Sequence, residues 1–134
     1  MAIKLSKSDL GKFRQLLQID QHELNADARF DSESDGGPNP HDLYDAALAA
    51  CKAITLFMFA ERSSIPLDNV SITIDRDSSE ERSGKYQLQV DLVLEGNLDS
   101  IQRERLINVA AKCPIHKLMT TGTTIITTSY EGAA

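Results

Sequence analysis

From His41 to Arg62 the chain runs without Gly or Pro, and its apolar residues fall on almost every bearing of a helical projection. Leu43, Ala46, Ala47, Leu48, Ala49, Ala50, Ala53, Ile54, Leu56, Phe57, Met58 and Phe59 leave no polar stripe of ordinary width. Asn39-Pro40-His41-Asp42 supplies a start: Asn39 can cap, Pro40 suits the first helical position, and Asp42 favours the positive end of the dipole. A helix this apolar must be covered on nearly all sides, more than one chain of this length can manage, so the pattern predicts a dimer. Strict alternation then marks two strands, around Val70, Ile72 and Ile74 and around Tyr86, Leu88, Val90, Leu92 and Leu94. Asp77–Gly84 between them reads as a polar, mixed-charge hairpin loop with little functional signal.

Asp99-Ser100-Ile101-Gln102 resembles a capping box and opens a helix with Ile101, Leu106, Val109 and Ala110 on its apolar side. Pro114 begins a short helical turn through Met119, and Thr123–Tyr130, rich in Thr and Ile, predicts a last strand. Near the start, Leu10–Ile19 reads as a short helix and His22–Phe30 as a strand, with Ser32–Pro38 a polar loop. The expected architecture is α+β, one domain over residues 1–134, with a long helix packed on antiparallel sheet.

The composition is that of an ordinary globular chain: 134 residues, 41% hydrophobic and 25% charged. A net charge of −6 argues against sequence-independent nucleic-acid binding, which needs a basic surface. The first twenty residues contain Asp9 and Asp20 and no continuous apolar core, so no signal peptide is expected. The most apolar stretch, Ala46–Ala60, is interrupted by Lys52 and is shorter than a bilayer span, which predicts a buried helix, no membrane association and a cytoplasmic location.

Two cysteines carry the candidate chemistry. Cys51 sits deep in the apolar helix, and Cys113 opens Cys113-Pro114-Ile115-His116, 62 residues later. In a cytoplasmic chain such a pair points to redox chemistry more than to a staple: a thiolate with lowered pKa reacts, and a second sulfur resolves it. The competing reading makes Cys51 a small buried hydrophobe. Cys113, at a helix junction, is expected to be the more accessible sulfur. His116, one turn along from Cys113, can lower its pKa when protonated or can be a surface histidine satisfied by water. Lys52 is expected at solvent or at an interface. Tyr44 shares a helix face with Cys51 and can line a pocket, with core packing as the alternative. His41 is either a pocket residue or a helix-start histidine facing solvent; about 15 Å of helical rise keeps it from Cys51 of its own helix. No C-x-x-C or H-x-x-x-H spacing supports a metal site, and no cofactor motif is present.

Gly37-Pro38-Asn39-Pro40, Leu43 and Ala46-Ala47-Leu48-Ala49-Ala50-Cys51 together resemble the helix signature of the OsmC/Ohr family, and Cys113-Pro114-Ile115-His116-Lys117-Leu118 resembles its second cysteine motif. The resemblance extends from His22 to the C-terminus. It implies an OsmC-like fold, with the long cysteine-bearing helix central to an intertwined homodimer. It also implies thiol-dependent reduction of organic hydroperoxides, in which Cys51 becomes a sulfenic acid, Cys113 condenses with it, and an external dithiol restores the pair. Family peroxidases place a glutamate ten residues before the first cysteine, paired with an arginine that holds the thiolate. Here that position is His41, and Arg29 is the natural candidate for the arginine. A branch retaining both cysteines without the glutamate is implied, with a non-peroxidase that binds small molecules or thiols as the alternative.

Overall fold

A computed structural model describes residues 2–28 and 36–132. The elements run β1 (Ile3–Lys7), β2 (Gln15–Ile19), β3 (His22–Ala26), α1 (Pro40–Arg62), β4 (Leu67–Asp77), β5 (Gln87–Gly96), α2 (Ser100–Ala110) and α3 (Pro114–Thr120). The fold is α+β, with a three-stranded sheet ordered β1-β2-β3 and a two-stranded sheet β4-β5.

Two compact units divide the chain, one formed by residues 1–47 and 76–88, the other by 48–75 and 89–134. In the first, β2 pairs antiparallel with both neighbours, Leu17 facing Leu5 on one side and Leu24 on the other. The predicted helix over Leu10–Ile19 is therefore wrong. Gln15–Ile19 has no strong local preference against helix, but pairing on both sides satisfies its backbone along the whole segment, and tertiary context overrides local propensity. Asp20 turns the chain from β2 into β3 with φ 53°, a left-handed conformation that Asp tolerates. β3 occupies His22–Ala26 of the longer segment expected to be a strand.

The start of α1 is built as its sequence requires. The Asn39 side chain accepts from the Asp42 backbone N–H at 2.8 Å, and Asp42 accepts from the Asn39 N–H at 3.0 Å. Two of the donors that a helix start leaves unpaired are thus satisfied reciprocally.

In the second unit the core is Leu56, Ala60, Ile65, Leu106 and Ala110, flanked by Phe59, Leu67, Val70, Leu92, Leu94, Leu98 and Val109. Leu56 and Leu106 are fully buried. The α2 capping box is present in full, with Asp99 accepting from the Gln102 N–H at 2.7 Å and Gln102 accepting from the Asp99 N–H at 3.0 Å. Gly96 ends β5 at φ 150°, where a Cβ would collide with the Pro66 carbonyl oxygen, so only glycine fits.

Along this part of α1, Leu48, Lys52, Leu56 and Ala60 are buried at helical spacing. Ile54, Phe57 and Met58 are exposed, so the single chain covers one face of the helix and leaves an apolar face open. The strand expected at Thr123–Tyr130 is absent: the segment is irregular, with Ile125 87% and Tyr130 93% exposed. A sequence with strand propensity forms no ladder without a neighbour to pair with.

Candidate functional site

The second unit brings the two cysteines together. Both are free thiols; Cys113 is fully buried and Cys51 partly exposed, the reverse of the expected order of accessibility. Cys51 projects from the middle of α1, its sulfur 4.0 Å from the Thr55 hydroxyl one turn on. Cys113 is the residue before α3, where Pro114 occupies the first helical position. Burial pushes the Cys113 thiol up, and the neighbouring Cys51 thiol adds to the rise. Against this, the His116 backbone N–H and the charge of Lys52 draw it down. A thiol whose proton is held this firmly is a weak nucleophile unless a cation offsets the cost of ionising it.

Lys52 is the residue that sequence reasoning misplaced. It is 4% exposed, and its Nζ donates to the Ala110 carbonyl at 2.6 Å and meets His116 Nδ1 at 3.0 Å. The Ala110 carbonyl closes α2 and is one of the acceptors that a helix end leaves unpaired, so a cation is favoured there. The available signal was the isolated lysine inside an otherwise apolar helix face: a charge at such a position must find partners.

His116 lies beside the pair, half-buried, with its pKa lowered first by burial and then by the Lys52 charge. Both causes disfavour the protonated imidazole through which His116 was expected to lower the thiol pKa. Its imidazole is held neutral, with Nδ1 accepting from Lys52.

The first unit holds a second constellation. Pro40, His41, Tyr44, Glu81 and Tyr86 line an open depression of about 250 Å³. Tyr44 meets Tyr86 edge-on at 5.8 Å between ring centres, and His41 meets Tyr86 at 5.9 Å. His41 Nε2 lies 2.5 Å from Glu81 Oε1. His41 lines this depression while half of its side chain faces solvent, and Tyr44 lines it with 48% of its surface exposed instead of packing into a core.

Beneath the depression, the Tyr86 hydroxyl donates to Asp45 at 2.6 Å, and Arg76 pairs with Asp45 at 3.3 Å and with Asp42. Burial, then the Asp45 carboxylate, holds the Tyr86 phenol protonated as the donor. Asp42 is held below the usual carboxylate range, chiefly by the Asn39 backbone N–H and also by Arg76. Glu81 comes from the hairpin expected to carry little functional signal. A carboxylate in a polar loop gives no hint of its partner until the hairpin folds.

Arg29, the expected thiolate partner, lies outside the described residues. Among the described residues no three His, Cys, Asp or Glu side chains gather in a group that could hold a metal ion.

The family model for OsmC-like protein matches residues 31–128. The fold is similar to that of an OsmC-like protein from Mycoplasma pneumoniae, at TM-score 0.74 and 18% identity, covering 90% of this chain and 86% of that one. It is also similar to the organic hydroperoxide resistance protein OhrB of Bacillus subtilis, at TM-score 0.61 and 23% identity, covering 90% of this chain and 92% of that one. A third similar structure is the organic hydroperoxide resistance protein OsmC from Legionella pneumophila, at TM-score 0.61 and 22% identity, with 91% of each chain covered. At these identities the likeness establishes the fold alone. Among curated proteins none matches by sequence. With both cysteine segments inside the matched span, on an α+β scaffold shared with these structures, the chain belongs to the OsmC-like family.

Proposed function

We propose that this chain is a cytoplasmic, homodimeric, thiol-dependent redox protein that reduces organic hydroperoxides, with Cys51 as attacking sulfur and Cys113 as resolving sulfur. The Cys51 thiolate attacks one peroxide oxygen, the O–O bond breaks, and the alcohol leaves with a proton, giving Cys51 sulfenic acid. Cys113 then attacks that sulfur, the S–S bond forms, and the sulfenyl oxygen leaves as water. An external dithiol reduces the disulfide and is itself oxidised. The observation that carries this reading is the meeting of two reduced thiols 62 residues apart in sequence, one partly exposed and the other buried. A dimer is supported by the open apolar face around Ile54, Phe57 and Met58, each at least 40% exposed in the single chain. Treating the reduced protein with one equivalent of cumene hydroperoxide tests the chemistry. Loss of both thiols within seconds, without a link between chains, is the expected outcome; thiols unchanged after minutes contradict it.

A second reading, a member of the fold that binds small molecules without turning them over, is favoured by one feature. The position that carries a glutamate in the resembling peroxidases is His41, engaged by Glu81 in an aromatic-lined depression. Unchanged thiols together with saturable perturbation of the Tyr44 and Tyr86 resonances by a ligand would select this reading.

A further inference from the structure

Lys52 is a buried cation whose two hydrogen-bond partners, the Ala110 carbonyl and the His116 imidazole, are both uncharged. Among the described residues no carboxylate pairs with it. A buried ammonium without an anion is costly, and capping the end of α2 does not require a charge, since a neutral donor would serve. An ammonium also carries three donors, and two are used among the described residues. The groups beside it that can become anionic are the thiols: Cys51 adjoins it in sequence, and the buried Cys113 lies between Ala110 and His116, the two residues that Lys52 binds.

We propose that Lys52 is the cation that eases ionisation of Cys113 for the resolving step. This role rests on the two-thiol cycle for its purpose but is read out independently of it. Cys113 gives up its proton to solvent, and the resulting anion replaces the counter-ion that Lys52 lacks. The anion attacks the sulfenyl sulfur of Cys51; the S–S bond forms, the S–O bond breaks, and the departing hydroxide takes up a proton. The sum is sulfenic acid plus thiol giving disulfide plus water, with Cys113 oxidised and the sulfenyl sulfur reduced. The groups that bear on Cys113 are Lys52 and Cys51 from α1 and the backbone of His116 from α3. Lys52 is the cation among them, because His116 acts on the thiol through its backbone N–H.

The test uses the Cys51→Ser chain, in which Cys113 is the only thiol, and follows thiolate absorbance with pH. Lys52→Gln keeps a donor for the Ala110 carbonyl and removes the charge. It should move the midpoint of the Cys113 titration upward by about one pH unit or more, and Lys52→Arg should restore most of the original midpoint. A purely structural lysine would move neither value, and a folded Lys52→Gln chain with an unaltered Cys113 titration overturns the proposal. Where circular dichroism shows that Lys52→Gln does not fold, the Lys52 side-chain carbon resonance in Cys51→Ser decides instead. It must shift at the midpoint of the Cys113 titration, and a resonance indifferent to that ionisation overturns the proposal. A wild-type chain inert to hydroperoxide would remove the proposed function and leave this titration intact.

Discussion

Joining Cys51 to Cys113 closes a loop of 62 residues, and the stability this adds can be worked out. Restricting the unfolded chain by a link of that span corresponds to about 4 kcal/mol at 25 °C, less any strain in the folded state. Urea unfolding of fully reduced and fully oxidised protein at pH 7 should therefore give midpoints separated in favour of the oxidised form. The gap should also depend on pH. Burial, its largest cause, raises the Cys113 thiol in the folded, reduced chain, so above the ordinary thiol pKa, about 8.5, the unfolded state binds fewer protons than the folded one. That contribution is fully present below the unfolded pKa and is lost as pH rises through the folded one. The oxidised chain has no Cys113 proton to lose, so the gap between the two forms should widen from pH 8 to pH 10. Coincident curves at pH 7 would mean that no intramolecular bond forms. A gap that narrows with rising pH would mean that the Cys113 thiol is not raised.

Leu106→Ala empties part of the second unit's core, where Leu106 is fully buried, and should cost about 2–5 kcal/mol in urea unfolding. Asp99→Ala removes the α2 cap and should cost about 1 kcal/mol by the same assay, with the fold retained in circular dichroism. His116 has a depressed pKa in the folded state, chiefly from burial, so the unfolded chain binds the extra proton near pH 6 and stability should rise with pH up to about 6.5. His116→Asn should flatten that slope, as read from thermal midpoints between pH 5 and 7.

Local signals named the elements that local interactions build. The Asn39–Asp42 start of α1, the Asp99–Gln102 box of α2, Pro114 at the start of α3 and the alternating strands β4 and β5 all lie where their residues indicate. Elements that depend on partners distant in sequence were misread. Gln15–Ile19 becomes a strand because Ile3–Lys7 and His22–Ala26 flank it, and Thr123–Tyr130 forms no strand because nothing among the described residues pairs with it. The site divides in the same way. Cys51, Cys113 and His116 were legible from motif and spacing, and the fold brings them together. Lys52 was not, since whether a lysine within an apolar helix faces solvent or a carbonyl depends on where α2 ends. Glu81 was not, since its partner His41 is 40 residues away in the chain.

The central claim, that Cys51 reacts first and Cys113 resolves it, is tested most directly by trapping the intermediate. In Cys113→Ser no resolving sulfur is present, so a sulfenic acid formed by one equivalent of cumene hydroperoxide should persist long enough to react with dimedone. Peptide mass spectrometry should then place the adduct on the segment carrying Cys51, and Cys51→Ser at the same dose should leave Cys113 largely unmodified. An adduct on Cys113 in Cys51→Ser, with none on Cys51 in Cys113→Ser, would reverse the two roles.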